Sequence, residues 1–397
     1  MENLKASRLP GHTRLLFVLA AMTMFVPMSI DMYMPSFPAV AEDLGVHIVN
    51  LQLTLSSFML GTAFGQILYG PISDRFGRKK PSYFGILIFV IASLLCTTAT
   101  TLPALIGFRF LQAFGGSAAL VCARAIVRDL LSGVEMAKMM SAMSMLFVLA
   151  PAFAPTIGST ILHWTSWHGI FFALVLFGAL VALGLSTIPE SLPKELRNDH
   201  GFKDAFSAYR EILRNHDFRA ASVVTMGGSF VTFAYVSSSP AVLMGEYGVS
   251  RSTYGVLFGL ISIGLLASSR INIKLVAKVG IHKMLLGFTL VQTISASIVL
   301  LCALFKAPLW ALLVFVIICF GCAPGMGGNA MTMAMHPFPE KAASAAAMLG
   351  MLQMCASGFI GAALSFMHSH IVVNMAIGML IGALMAFVQV RRIKQSL

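Results

Sequence analysis

Charged side chains are scarce in this sequence of 397 residues. Asp, Glu, Lys and Arg make up 11% of the chain, whereas a soluble domain carries roughly 25%. Mean hydropathy is +0.86, and 58% of the residues are hydrophobic. Since a soluble core cannot hide that much apolar surface, the composition excludes an ordinary soluble enzyme and predicts a membrane protein.

Other absences narrow the function. The sequence contains no G-x-x-x-x-G-K-[ST] segment, so we expect no ATP-binding loop. There are only six cysteines. Cys319 and Cys322 form a C-x-x-C without a nearby His cluster or a second pair, which favours helix packing over metal or redox chemistry. No intramembrane His/Asp or Ser/His grouping is evident, and we expect no enzyme, no cofactor and no metal.

Long apolar runs fill the rest of the chain. Each run has about 20 residues, enough to cross a hydrocarbon layer of roughly 30 Å as a helix. The first run lacks an A-x-A-like cleavage site, which indicates a retained helix and not a signal peptide. The sequence therefore predicts an all-α membrane protein with twelve transmembrane helices, near 14–36, 49–70, 80–98, 102–124, 136–161, 166–188, 217–240, 252–275, 283–304, 307–330, 341–366 and 370–391.

Basic residues follow a membrane pattern. All of the 27 Lys and Arg except Arg109, Arg251 and Lys306 fall in the tails or in alternate loops. This is the positive-inside asymmetry, and it predicts that both termini are cytoplasmic. The net charge of +12 therefore reflects topology and some attraction to anionic membrane lipid. We expect no binding to nucleic acid.

A single long polar segment, 190–216, divides the chain into an N-terminal half, 1–189, and a C-terminal half, 217–397. Apolar positions within the segment predict a short amphipathic helix on the cytoplasmic surface. We interpret it as a structural linker, with regulation as the lesser alternative. The halves resemble diverged copies, because one shift places 76–80 on 279–283. Two pseudo-symmetric six-helix halves are a known transporter plan, with binding near the midplane.

Two charges remain inside the predicted bilayer, Asp31 and Arg109. An ionisable group there is costly and is by default a functional-site hypothesis. Both lie roughly 8–11 Å below the outer surface at 1.5 Å per residue, so we expect them to pair and Asp31 to couple transport to protons. A purely structural ion pair is the alternative. The shift between halves places them on Ala234 and Leu312, so the second half lacks this pair.

The most specific motif is the loop between the second and third spans, GPISDRFGRKK at 70–80. It resembles the G-x-L-x-D-R-x-G-R-K-x loop of the major facilitator superfamily. The resemblance implies an inner gate in which Arg75 or Arg78 meets an acid near the end of span 4. Alternatively, the basic run only fixes topology. The implied gate residues are Gly70, Asp74, Arg75, Gly77, Arg78 and Asp129.

Span 5 contains APAFAPTIG at 150–158. Two prolines four residues apart remove helix donors and favour a bend, and small residues allow close helix contact. The segment resembles the proline motif of exporters in this superfamily, which implies an antiporter, although a proline-kinked membrane helix is also ordinary. The motif residues are Pro151, Pro155 and Gly158.

Two further segments resemble the superfamily and one particular branch of it. RFLQAFGG at 109–116 is similar to the R-x-x-Q-G motif of the superfamily, and SIDMYMP at 29–35 is similar to the bicyclomycin/chloramphenicol-resistance branch of drug:proton antiporters. The branch implies proton-coupled efflux of amphiphilic drugs across the bacterial inner membrane, by a protein that acts as a monomer. A single intramembrane acid suggests about one proton per drug.

A drug cavity should be apolar and adaptable. Methionine is abundant, with 26 residues, and flexible thioethers suit promiscuous sites. For each candidate wall residue, ordinary helix packing is the alternative. The candidates are Met24, Pro27, Tyr33, Gln112, Phe230 and Tyr235.

Two other function classes stay open at this stage. One is a proton-coupled exporter of a small metabolite such as an amino acid or sugar, which would need more convergent polar groups than the spans offer. The other is a receptor or membrane enzyme without transport activity.

Overall fold

The computed structural model describes residues 12–197 and 201–392. Residues 198–200 of the predicted linker, and the tail bases Lys5, Arg8 and Lys394, lie outside the described residues. Within the described ranges the regular elements are all helices. Short 3-10 turns join some of them, and a π-helical segment, Pro240–Glu246, extends the seventh span beyond its predicted end at 240.

Sixteen α-helices follow one another in the described chain. They are α1 (His12–Thr23), α2 (Phe25–Asp31), α3 (Phe37–Asp43), α4 (Gln52–Phe76), α5 (Lys79–Thr97), α6 (Leu102–Leu130), α7 (Gly133–Trp164), α8 (His168–Ser186), α9 (Gly201–Arg214), α10 (His216–Ser239), α11 (Arg251–Val279), α12 (Ile281–Leu304), α13 (Leu309–Gly321), α14 (Ala323–Met335), α15 (Ala342–Ser365) and α16 (Ile371–Arg392).

Eleven helical segments are long and apolar enough to cross a membrane, and a bent pair makes a twelfth. This confirms the predicted all-α multi-pass fold. The first span differs from the prediction because it is broken by 50° and runs on to Asp43. Pro27 lies in the first turn of α2, just after the break at Met24. A proline there lacks the N–H that would continue the hydrogen bonds of α1.

Small residues bring helices together within each half. Gly85 of α5 faces Gly115 of α6, and a Cβ on either would lie 2.6 Å from the backbone oxygen of the other. In the C-terminal half, Gly227 of α10 and Gly382 of α16 approach each other in the same way. Lipid tails are as apolar as the side chains, so the hydrophobic effect does not drive helices together in a membrane. Close van der Waals contact between small residues takes that role.

The two halves meet along α4 with α15 and along α7 with α11. Among the described residues, the side-chain hydrogen bonds between the halves lie at one end of the bundle, away from the basic loops. We call this the opposite end, and the end with Arg78 the basic end. The bonds join Gln52 to Ser238, Ser159 to Arg251, Tyr254 to Met34 and His368 to Asn50. The opposite end is therefore closed.

The linker contains the predicted amphipathic helix, α9, which packs at the basic end. Its buried stripe is Tyr209 and Ile212, whereas Phe206 and Leu213 are exposed. The Tyr209 hydroxyl donates to the Ile67 carbonyl of α4 at 3.3 Å. Burial, with a smaller effect from the charge of Asp74, raises the pKa of Tyr209 to about 12. Helix α9 therefore anchors the linker between the halves to the end of α4 that lies at the basic end.

Candidate functional site

Arg109 is completely buried in the second turn of α6. Its Nη1 donates to Oε1 of Gln112 at 2.5 Å, and its Nη2 donates to the Ser29 carbonyl at 3.0 Å. Gln112 in turn donates to the Ser93 hydroxyl at 2.7 Å. The guanidinium is therefore held by neutral oxygens from α6 and α2.

Three aromatic rings surround the same guanidinium. Its central carbon lies 4.8 Å from the ring centroid of Tyr33, 4.4 Å from Phe58 and 5.8 Å from Phe171. Cation–π attraction is worth about 2 kcal/mol or more when the cation is desolvated. These rings, from three separate spans, explain how an arginine is held in the bundle without a carboxylate.

The predicted pair between Asp31 and Arg109 is not formed in this structure. Among the described residues, the ion pairs are Arg78 with Asp74 and Asp129, His216 with Asp217, and Lys341 with Glu211. Arg109 does reach the Ser29 carbonyl, so Asp31 and Arg109 lie at a similar level along the bundle. At about 100° per residue, Asp31 lies roughly 200° around the helix from Ser29, so its side chain points away from Arg109.

Asp31 lies instead at the junction of the two halves. It is 5% exposed, ends α2, and has no hydrogen bond from any described residue. One turn later, Met34 Sδ accepts a hydrogen bond from the Tyr254 hydroxyl of α11 at 3.5 Å. The only predicted intramembrane acid therefore faces the C-terminal half without a cation.

The candidate wall residues of the N-terminal half are buried in packing. Tyr33 and Gln112 surround Arg109, as described above. Met24 and Pro27 are buried at the break between α1 and α2. In this conformation none of the four lines the cavities described below.

The two candidates from the C-terminal half also pack against aromatic rings. Tyr235 is fully buried and stacks on Phe258 with 6.1 Å between centroids. Phe230 stacks on Phe359 at 6.2 Å. Their role in substrate binding stays a prediction.

Two cavities open between spans toward the basic end. The larger, about 120 Å³, lies between α1, α6 and α7, and the smaller, about 40 Å³, lies between α10, α14 and α15. The first is lined by Thr23, Arg124, Met140, Met143, Ser144, Phe147 and Val148. The second is lined by Val224, Thr225, Gly228, Ser229, Thr232, Ala323, Met326, Gly327 and Gln353. Both linings mix methionine with hydroxyl or amide groups, but both volumes lie below the roughly 300–1,000 Å³ of a ligand-sized pocket, so neither cavity holds a drug in this conformation.

Arg124 is the residue that sequence reasoning missed. The prediction ended span 4 at 124 and assigned this arginine to a loop, but α6 continues to Leu130. The extra turns place Arg124 on a cavity wall within the helix. The arginine spacing in 124–128, where Arg124 and Arg128 share one helix face, was the available signal.

A charged network lies at the basic end, where α4, α5 and α6 meet. Arg78 donates from Nε to Asp129 at 2.8 Å and from Nη1 to Asp74 at 2.5 Å. Burial alone would lower the pKa of Arg78, but the hydrogen bonds that it donates to Asp129 and Asp74 outweigh burial, and the net pKa is raised. Of the two arginines considered, Arg78 contacts Asp129, whereas Arg75 lies over the Phe76 ring at 5.5 Å.

Glu190 joins this network and was not foreseen. Its carboxylate accepts from the backbone N–H groups of Arg78 and Lys79, at 2.7 and 3.1 Å, where the N-terminus of α5 favours negative charge. Gly77 has φ of +87°, and a Cβ there would lie 2.7 Å from Glu190 Oε2. The glycine is therefore required both by its backbone conformation and by the carboxylate beside it. Gly70, the other predicted glycine, faces the Tyr209 hydroxyl.

We expect Asp129→Asn to destabilise the protein measurably. The change keeps the shape but removes the charge that accepts from Arg78 and from the Ser191 hydroxyl at 2.9 Å. Loss of a charged hydrogen-bond partner in a part-buried site costs about 2 kcal/mol. Glu211→Gln is the matched control, because its pair with Lys341 is exposed and such pairs contribute about 0.5 kcal/mol. Thermal unfolding in detergent measures both, and equal melting temperatures would contradict the importance of the network.

The proline motif lies where the halves meet. Pro151 and Pro155 are inside the single helix α7, Gly133–Trp164. Gly158 packs directly on the backbone of Met32, the residue after Asp31. On the other side of α7, Thr156 meets Gly255 of α11. The motif thus connects the Asp31 region to the C-terminal half.

The chain is similar to known membrane transporters over most of its length. The family model "Major Facilitator Superfamily" matches residues 19–362. A bicyclomycin resistance protein homolog of Haemophilus influenzae is 32% identical, covering 89% of each chain. Multidrug resistance protein MdtL of Klebsiella pneumoniae is 30% identical over 94% of this chain and 93% of its own. The crystal structure of a D-xylose-proton symporter superposes with a TM-score of 0.73 at 16% identity, covering 94% of this chain and 97% of that one, and this likeness concerns the fold alone.

Proposed function

This chain belongs to the major facilitator superfamily, and from that premise we propose that it exports amphiphilic drugs of the chloramphenicol and bicyclomycin type in exchange for protons. It is a multi-pass membrane transporter and not an enzyme. The names of its relatives, a bicyclomycin resistance homolog and a multidrug resistance protein, support the drug class. The burial of Asp31 without a positively charged partner supports the proton coupling.

The observation that carries the proposal is a buried acid without a cation. Asp31 is 5% exposed, and Arg109 is held by other partners. An ionised carboxylate in an apolar interior is strongly disfavoured unless it is paired and hydrogen-bonded. In this conformation Asp31 therefore carries a proton, and the closed opposite end corresponds to the proton-loaded stage of the cycle.

The cycle follows from the placement of Asp31 between the halves. By the positive-inside rule the basic end and both termini face the cytoplasm of a bacterial inner membrane. Asp31 takes a proton from outside when the opposite end is open, and drug leaves. The halves then close that end, the proton leaves inward, and the next drug binds. The transporter acts as a monomer, with each half as one unit and 190–216 as the linker.

The side chains around the larger cavity suggest which drugs bind there once the cavity widens beyond its present volume of about 120 Å³. Met140, Met143 and Phe147 offer adaptable apolar contacts, and Thr23 and Ser144 offer hydroxyls. Arg124 adds a positive charge to the same wall, which disfavours cationic drugs and favours neutral ones with polar acceptors. A dication should be carried poorly.

Transport by inverted membrane vesicles tests the proposal. With the vesicle interior acid, we expect accumulation of radiolabelled chloramphenicol above the external concentration, and its collapse on addition of a protonophore. Accumulation that resists the protonophore would contradict proton coupling. Accumulation of amino acids or sugars, with no movement of chloramphenicol, would favour the metabolite exporter.

Crosslinking the opposite end should stop transport. Asn50 and His368 bridge the halves, with 2.6 Å between Oδ1 and Nε2, so a short thiol-specific crosslinker between Asn50→Cys and His368→Cys would hold that end shut. We expect at least about a tenfold loss of drug uptake, in a background without the native cysteines, because alternating access requires this end to open.

The matched control is the pair Ser250→Cys and Thr253→Cys, whose hydroxyls lie 2.8 Å apart within the C-terminal half. Its crosslink should leave uptake unchanged. Normal uptake by the crosslinked 50/368 protein would show that the halves need not separate there.

A further inference from the structure

A groove on the outer face of the C-terminal half lies apart from the two cavities between the spans. Its volume is about 540 Å³. Helices α11 and α12 form its walls and α13 its floor, and the central cavities involve none of these three. The lining side chains are apolar almost throughout, with Ile263, Ile271, Phe288, Val291 and Ile317 among them.

Helix packing explains why a groove forms there. Consecutive helices α11 and α12 both pack on α13 and touch each other less. Gly264 of α11 lies directly against Gly321 of α13, since a Cβ on Gly321 would be 2.9 Å from the Gly264 carbonyl oxygen. This close contact holds α11 against the floor of the groove, and the single residue Gly280 joins α11 to α12 at the basic end.

The groove has the depth of one membrane leaflet. Along α12 its lining runs from Lys283, in the first turn, to Val291, a rise of about 12 Å at 1.5 Å per residue. One leaflet contributes about 15 Å of hydrocarbon. The groove therefore extends from the basic surface nearly to the midplane, as an acyl chain would.

The charge at its mouth is positive and has no acidic counterpart in this stretch of sequence. No Asp or Glu occurs between Glu246 and Glu340. Toward the basic end of α11 and α12 this stretch carries four exposed bases, of which Lys283 lines the groove, and among the described residues none of them forms an ion pair. They are Arg270, Lys274, Lys278 and Lys283.

We propose that this groove binds an anionic phospholipid of the inner leaflet, with one acyl chain along α12 and the phosphate headgroup at Lys283. Basic pockets between transmembrane helices on the cytoplasmic side bind anionic headgroups. A soluble ligand would have no reason to choose a groove that faces lipid, and a zwitterionic lipid would gain little from the four bases.

Native mass spectrometry tests the site. The whole protein is extracted from vesicles containing equal amounts of dioleoylphosphatidylglycerol and dioleoylphosphatidylcholine, and retained lipids are counted. We expect preferential retention of phosphatidylglycerol. Gly287→Leu should reduce it, because Gly287 lines the groove and a Cβ there meets nothing within 4 Å, so the larger side chain fills the groove without moving a helix. Lys283→Gln should reduce it about fivefold through lost charge.

Each test variant has a control with the same substitution at a site away from the groove. Gly107→Leu adds the same side chain at another open lipid-facing glycine, and Lys306→Gln removes a base at the opposite end. Both should retain lipid as the wild type does. Size-exclusion chromatography verifies folding, and Lys283→Gln, a surface change, keeps the test valid if Gly287→Leu fails to fold.

Several results would overturn the proposal. Equal retention of both lipids by the wild type removes the anionic preference, and unchanged retention by Lys283→Gln removes the headgroup site. If Gly287→Leu lowers chloramphenicol uptake while lipid retention is unchanged, the groove serves the drug and not a lipid.

Discussion

Asp31→Asn is expected to abolish accumulation of drug against its gradient while leaving downhill equilibration intact. The amide occupies the space of the carboxyl and cannot exchange a proton, so the loss of coupling should be complete and the accumulation ratio should fall to about one. Because Asp31 has no hydrogen bond from a described residue and no ion pair with Arg109, the substitution breaks no contact on which folding depends. The effect should therefore fall on coupling and not on stability.

Vesicle uptake under an imposed proton gradient measures this directly. Glu42→Gln is the matched control, since Glu42 is exposed in α3, after the end of α2, and it should accumulate drug normally. If Asp31→Asn concentrated drug as well as the wild type, Asp31 would be structural. The proton would then need another route.

Arg109→Lys is expected to reduce transport at least about tenfold, although the charge is kept. Lysine lacks the planar fork that reaches both Gln112 and the Ser29 carbonyl, and it stacks less well on aromatic rings. Three rings and two oxygens now define the position of Arg109. Losing that geometry should let α2 shift relative to α6 and displace Asp31 from the junction of the halves.

Uptake and thermal unfolding should be measured together, with the exposed Arg219→Lys as the control. We expect Arg219→Lys to behave as the wild type. A normal uptake rate for Arg109→Lys would show that only the positive charge at this position matters. The account of a positioned guanidinium would then be wrong.

Spans and loops could be predicted from the sequence because the membrane dictates them. An apolar run of about 20 residues has few alternatives to a spanning helix, and the loop 70–80 carries a specific pattern. Side-chain direction could not be predicted in the same way. The depth of Asp31 and Arg109 followed from helix rise, but the break before Pro27 changes how α2 continues α1, and the direction of Asp31 depends on that break.

The residues that line the cavities could not be predicted from the sequence either. Most methionines and aromatic residues on a membrane helix are chemically equivalent candidates, and only the packing of neighbours decides which ones face a cavity. Tyr33 and Gln112 were chosen for their nearness to charged residues, and they serve Arg109. Arg124 was missed because hydropathy marks the end of the apolar run, whereas α6 continues beyond it to Leu130.

Proton release on drug binding is the most direct measurement of the central claim, that Asp31 exchanges its proton for drug. Purified protein in weakly buffered detergent solution is mixed with chloramphenicol, and a pH-sensitive dye reports the protons released. The account predicts about one proton per drug bound by the wild type and none by Asp31→Asn, even where the variant still binds drug. Equal release by the two proteins would contradict it.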